Sequence, residues 1–419
     1  SKMLLFNKEN SMNDICRLAL DLIAFRVFEK PLSADVKFSR ETLRKLFGFS
    51  RSHDVDNIVG SALLNVKAFD CIADENDKSG EAEENKLAEN AKNDEKAAFE
   101  NSVFTSVYRC ENFKAELNDV AAVFEKEKIE NIPLKGSILR KYYPEEWLRT
   151  SCDIDILVKD NCLESAVNAL IGGLSYKFKQ RSEHDVSLFS PSGVHIELHY
   201  TLTGDEVNEK SSAVLNNVWN YVLSASSYEK KLTNELFYFY HIAHMAKHFA
   251  LGGCGVRPFI DLKIMNDKFV LNRKQLDEML NEGGLKKFEE AAVKLSRLWF
   301  ENGENKESFG EEIYVMSDYI LYSGVYGSAE NRVMVSQKKK GGKFGYAMSR
   351  IFLPYSVMKK MHPVLEKHKW LLPWFEVRRW FVILFDGRAK SAMQELKYNE
   401  IADLHAGEKY RDMMNKLEL

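Results

Sequence analysis

The sequence predicts an α+β fold, a small mixed sheet near the middle of the chain bracketed by helical regions from both ends. Three observations carry this. Only 8 of the 419 residues are proline, so long helices run uninterrupted. The apolar spacing is helical to about residue 130, alternates over parts of 132–200, and turns helical again after 212. The alternating stretch is punctuated by Lys135-Gly136-Ser137, Gly172-Gly173 and Ser190-Pro191-Ser192-Gly193, the turn residues that short strands need. These changes of period divide the chain into an N-terminal helical region, 1–112, an α/β core, 113–205, and a C-terminal helical domain, 206–419. At roughly 150 residues per domain, the length suits two or three such units.

Composition removes several classes. With 45% hydrophobic and 29% charged residues, the chain is neither disordered nor fibrous. A net charge of −3 disfavours bulk nucleic-acid binding, which needs a basic face. Cys16, Cys71, Cys110, Cys152, Cys162 and Cys254 form no CxxC pair, which points to reduced thiols and a cytoplasmic setting rather than a disulfide framework. SKMLLFNKEN holds no apolar run of signal-peptide length, and no run of 18 uncharged apolar residues predicts a membrane span.

The elements follow in order. Ile15, Leu18, Leu22 and Phe25 make a helical stripe over 11–28, with Ser11 and Asp14 placed as a capping pair. Leu43, Leu46, Ile58 and Leu63 continue the helical pattern. From Asp74 to Glu100 there are ten acidic and four basic residues, read as a solvated loop entering an exposed helix in preference to an acidic docking site. Leu117, Val120, Ala121 and Phe124 set a helix over 113–130. Ile132-Pro133-Leu134 is a short strand and Ser137 to Tyr143 a short helix. Asp153 to Val158 alternates and is a strand, Leu163 to Leu170 a helix ended by Gly172-Gly173, and Val186–Phe189 and Val194–Tyr200 two more strands.

The strongest chemical feature is Asp153-Ile154-Asp155. In a strand, residues i and i+2 share a face, so both carboxylates project one way and Ile154, Ile156 and Val158 project toward a core. Aspartate is depleted in strands, which argues against an ordinary solvated face. Paired oxygen donors suit a hard divalent cation such as Mg²⁺. His195, Glu197 and His199 share one face of their own strand. If the two strands are neighbours, Glu197 becomes a third carboxylate, enough for a two-metal centre. Gly136-Ser137, at a strand-to-helix turn after Lys135, can aim backbone N–H groups and a hydroxyl at phosphate.

These elements in this order resemble the nucleotidyltransferase superfamily of DNA polymerase β, and more closely its uncharacterised bacterial branch. The residues that carry the resemblance are Leu134-Lys135-Gly136-Ser137, Leu148-Arg149, Asp153-Ile154-Asp155-Ile156-Leu157-Val158 and Ile196-Glu197-Leu198-His199-Tyr200, clearest from about 131 to 265. Tyr200 stands where Trp is more usual. The resemblance implies transfer of an NMP group from an NTP to an acceptor hydroxyl. Asp153, Asp155 and Glu197 would hold two Mg²⁺ ions, with Mn²⁺ as the substitute, and Glu197 is the candidate base. Lys135, Gly136, Ser137 and Arg149 would seat the phosphates. The alternative is a non-catalytic nucleotide-binding or interaction protein that keeps the fold, and retention of all three carboxylates favours the enzyme. Sugar, antibiotic, protein side chain and RNA end all stay open as acceptors, as do all four NTPs. A nucleic-acid polymerase is disfavoured by the acidic balance.

Two constellations follow the core. His244 and His248 are four apart on one helix face, but HMAKH lacks the metalloprotease glutamate, so a catalytic zinc pair is disfavoured. The branch carries the same HxxxH…RxxxD pattern, which places His244, His248, Arg257 and Asp261 at the nucleotide or acceptor pocket. An Arg257–Asp261 ion pair within one helix is the plainer alternative. Farther on, Lys338-Lys339-Lys340-Gly341-Gly342-Lys343 reads as a basic loop. Trp370, Trp374, Arg378, Arg379 and Trp380 suit either a peripheral membrane contact or a buried helix edged by arginine. The buried helix is preferred, because Pro373 and Glu376 interrupt a membrane face.

Overall fold

The structure is a computed structural model and describes residues 3–32, 38–70, 82–203, 208–301, 309–325, 343–385 and 404–419. Four helices precede the sheet: α1 (Met3–Phe28), α2 (Arg40–Ser52), α3 (Asp56–Asn65) and α4 (Ala82–Lys126). Ser11 lies inside α1 and does not cap it, because the helix already starts at Met3. Ser39 caps α2 instead, its hydroxyl accepting from the Thr42 amide at 3.2 Å. The loop part of the acidic run, up to residue 81, lies outside the described residues. The rest begins α4, which runs unbroken to Lys126, so the helix predicted at 113–130 is its last part and ends four residues early. Phe99, Phe113 and Phe124 anchor α4 by burial.

The sheet has five strands: β1 (Asn131–Pro133), β2 (Asp153–Val158), β3 (Lys177–Arg181), β4 (Asp185–Phe189) and β5 (His195–His199), in the order β1-β2-β5-β4-β3. Only β2 and β5 pair in parallel; the other pairs are antiparallel. Parallel neighbours need a crossover, supplied by α6 (Leu163–Leu174) and the β3–β4 hairpin. Gly172 and Gly173 sit within the last turn of α6, and the left-handed residue that ends it is Ser175, at φ 59°. β3, Lys-Phe-Lys-Gln-Arg, is an edge strand exposed along its whole length, so it carries no alternation for sequence reasoning to find.

One face of the sheet is apolar over β2, β4 and β5. Ile154, Ile156, Val158, Leu188, Ile196 and Leu198 pack there against Phe113, Val120 and Phe124 of α4 and Leu163, Val167 and Leu170 of α6. Leu157, on the opposite face, joins the larger helical core with Leu134 and Leu139. After α7 (Glu209–Asn216), a hairpin of β6 (Val222–Ser224) and β7 (Lys230–Leu232) interrupts the expected helical stretch. Then come α8 (Asn234–Ala250), α9 (Arg257–Lys268), α10 (Arg273–Glu282), α11 (Lys286–Phe300) and α12 (Glu311–Leu321). Most of the basic loop at 338–343 lies outside the described residues.

The helix Leu372–Phe385 corrects the sequence reading. Among its described side chains only Phe375 and Glu376 are buried, while Trp374, Val377, Phe381 and Val382 are exposed. Among the described residues no helix is long and apolar enough to cross a membrane.

Candidate active site

The register between β2 and β5 builds the site. Asp153 stands opposite His195, Asp155 opposite Glu197, and Leu157 opposite His199. Directly opposed residues in a sheet bring their Cβ atoms within about 5.5 Å of each other. The face turned away from the α4–α6 core therefore collects two aspartates, one glutamate and two histidines. The three carboxylates proposed from sequence are together, and His195 and His199, noted there only as sharing Glu197's face, join them. The signal for both was the same alternation that pointed to Glu197.

Asp155 is the buried centre of the cluster. Its Oδ1 lies 2.8 Å from Lys135 Nζ and 2.8 Å from His199 Nε2. Burial alone would raise its pKa, but the Lys135 ammonium and the His199 imidazole outweigh that and hold the carboxyl far below its ordinary range. Lys135 gains in turn: burial opposes its charge, and Asp155 more than restores it, so its pKa is raised. Burial and the neighbouring Asp155 raise Asp153. Burial, with Asp155 and Asp153, pushes Glu197 up to about 7.

This donor set fits a divalent cation. The ligand atoms of Asp153, His195 and Glu197 all lie within 4.8 Å of one another, and so do those of Asp155, Glu197 and His199. An ion with bonds of about 2.1 Å holds its donors within about 4.2 Å of one another, so a small closing of the side chains would bring either set onto one ion. His195 Nε2 is buried without a hydrogen-bond partner, as a nitrogen reserved for a ligand would be.

Lys135 reaches Asp155 through an unusual backbone. It holds φ 43° and ψ −118° at the turn between β1 and α5 (Gly136–Leu139). The Leu134 amide donates to the Asp155 carbonyl at 3.0 Å, which ties this turn to β2. Gly136 is required by close approach, since a Cβ there would meet Ser151 Oγ at 2.7 Å. Ser137 is buried at the start of the same short helix.

A cleft of about 190 Å³ opens beside the cluster. Lys135, Glu197 and His199 form one wall, Tyr240, His244 and Lys247 of α8 the other, and Thr201 and Thr203 lie between. Tyr240 and Lys247 went unassigned in the sequence, although their spacing from His244 puts them on its helix face. His244 and His248 face each other with Nε2 atoms 3.2 Å apart. Burial, the Lys135 charge and His248 keep His244 well below its ordinary pKa. Burial, Lys247 and Lys135 bring His248 down to about 4. Among the described residues the pair belongs to neither group of three metal donors.

The remaining predicted residues lie deeper. Asp261 does not pair with Arg257 along α9. It receives Arg149 Nε at 2.8 and 2.9 Å and the Tyr143 hydroxyl at 2.7 Å. Arg257 donates to the Thr150 carbonyl at 3.1 Å and Oγ1 at 2.7 Å and pairs with Asp54. Neither arginine lines the cleft. Both arginines tie α9 to Arg149–Thr150, the segment that leads into β2.

A family model described as uncharacterised nucleotidyltransferase matches residues 81–301, just over half of the chain, spanning the whole sheet and α8. No curated protein matches the sequence. The matched segment contains every residue of the carboxylate–histidine cluster and of the cleft, and the chain belongs to the uncharacterised nucleotidyltransferase family.

Proposed function

We propose that this protein is a divalent-metal-dependent enzyme that moves an NMP group from an NTP to an acceptor hydroxyl. The observation that carries the reading is the β2–β5 register, which gathers Asp153, Asp155 and Glu197 on one face beside a polar cleft. Asp153, Asp155 and Glu197, with His195 and His199, would hold the metal, two Mg²⁺ or Mn²⁺ ions. When bound, these supply charge neutralisation at the α-phosphate and the pyrophosphate leaving group.

The chain's own groups do the rest. Lys135, fixed on Asp155, offers a second cation to the triphosphate lying over the Lys135–Ser137 turn. Glu197, half-buried and held near neutrality, takes the proton from the acceptor hydroxyl. Arg149 and Arg257, each neutralised by its own carboxylate, hold the approach to β2 in place instead of reaching the phosphates. His244, kept neutral, together with Tyr240 and Lys247 contributes donors and acceptors to the nucleotide or acceptor pocket. The test is calorimetric titration of each NTP with and without Mg²⁺ or Mn²⁺. Binding that needs the metal in wild type, persists in Glu197→Gln without turnover, and fails in Asp153→Asn supports the reading. Equal, metal-independent binding in all three proteins overturns it.

A pH dependence follows from Glu197. Its folded pKa of about 7 lies above its ordinary 4.5, so the metal-free folded state binds more protons than the unfolded chain between those values. Stability therefore falls as pH rises through that window, and the full penalty stands above it. Glu197→Gln lacks the penalty. At pH 8 without metal its Tm should exceed wild type by about 2–4 °C after allowance for solvent screening, with the gap closing toward pH 5. Differential scanning calorimetry at both pH values checks this; a gap independent of pH would contradict it.

A further inference from the structure

Beyond the segment that the family model matches, residues 343–385 fold around a small core of their own, Met358, Leu365 and Phe375. The helix Leu372–Phe385 has two unlike faces. Inward, Phe375 is buried, and the Glu376 carboxylate accepts from the Leu353 amide at 2.8 Å and pairs with Arg379 at 2.9 Å. Outward, Trp370 in the 3-10 turn Lys369–Leu371 is followed by Trp374, Val377 and Phe381 of the helix, which at intervals of three and four share one face. They are 75, 59, 44 and 57% exposed. Phe344 and Phe352, nearby in sequence, are exposed as well. Apolar side chains gathered on one surface in this way mark an interaction site rather than chance exposure.

The charge of this region identifies the partner. Residues 343–385 hold eight Lys or Arg and two Asp or Glu, in a chain whose net charge is −3. Lys367, Lys369 and Arg378 are exposed. The Arg378 guanidinium lies 5.9 Å from the Trp374 ring centre, and Lys369 Nζ lies 5.7 Å from that of Tyr355. An aromatic stripe flanked by cations matches the headgroup level of an anionic bilayer, where tryptophan and basic side chains are both favoured. At 14 residues the helix is about 21 Å long, too short for a hydrocarbon core of about 30 Å, so it suits the interface and not a span. A second copy of the chain is disfavoured, because it would set the same excess of positive charge against itself.

We propose that residues 343–385 dock the protein on an anionic lipid surface, with Trp370, Trp374, Val377 and Phe381 at headgroup depth and Lys367, Lys369 and Arg378 among the lipid phosphates. The surface is separate from the carboxylate cleft and stands or falls independently of the proposed transfer. The test is flotation of the full chain with vesicles of phosphatidylcholine alone and with one quarter phosphatidylglycerol. Binding should require phosphatidylglycerol, weaken at high salt, and drop at least tenfold in Trp370→Glu/Trp374→Glu. That variant should keep its circular dichroism spectrum and its nucleotide affinity. Phe178→Glu, at an exposed position on the sheet edge, should bind vesicles as wild type does. Equal partitioning of wild type and the double variant overturns the proposal. So does a lack of vesicle binding, whether the stripe then proves to hold a dimer that the variant dissolves or to retain nucleic acid.

Discussion

Asp153→Asn should lower pyrophosphate release from the best-bound NTP on the order of 10³-fold while the fold stays intact. The substitution keeps the side-chain volume and removes one ligand charge. Asp153 is the better probe of the two aspartates. Asp155 also neutralises the half-buried Lys135 ammonium, so changing it would leave that cation without its carboxylate and confound catalysis with folding. Asp153 is half-buried and makes no ion pair among the described residues, and its pKa is raised by burial and by Asp155. Relief of that repulsion should leave the metal-free variant at least as stable as wild type. The two readouts are the rate with Mg²⁺ or Mn²⁺ and the Tm without them. A rate within tenfold of wild type would remove Asp153 from the metal site, and a large fall in Tm would show a folding defect instead.

Asp261→Ala should cost about 3–5 kcal/mol of stability, the usual penalty for stripping the partner from a buried charge. Asp261 is almost fully buried, and its carboxylate receives both Arg149 and the Tyr143 hydroxyl. Without it the Arg149 guanidinium is left in the protein interior with one carbonyl, that of Thr150, as its remaining acceptor among the described residues. Chemical denaturation should show the midpoint fall, and Arg149→Met/Asp261→Leu should recover most of it by replacing the pair with apolar volume. A loss below about 1 kcal/mol for Asp261→Ala would mean that Arg149 reaches solvent or another anion. Because Arg149 lies four residues before Asp153, the variant also reports whether the strand's position depends on α9.

What the sequence determined by itself is local. Alternation over Asp153–Val158 and His195–His199 settles which side chains share a face, since a strand offers only two, and the burial of Ile154, Ile156, Ile196 and Leu198 on one side agrees with it. The Lys135-Gly136-Ser137 turn was likewise legible, because a change of period needs a turn residue at that point. Weak elements escaped: β3 is polar and exposed at an edge, and the β6–β7 hairpin has strands of three residues, too short to show a period.

Tertiary structure decided the rest, because it concerns groups far apart in the chain. The parallel β2–β5 register, a matter of backbone hydrogen bonds across about forty residues of intervening chain, is what sets Glu197 opposite Asp155 and draws the two histidines in. Asp261, four residues from Arg257, had an obvious helical partner in the sequence. Arg149 takes it instead, because the fold buries that carboxylate beside the segment that leads into β2. The stripe from Trp370 to Phe381 has the composition of a core helix. Trp374 and Val377 are exposed while Leu372 and Phe375 of the same helix pack on the small core, and how much of a helix surface is covered depends on the area its neighbours offer, which no local pattern records.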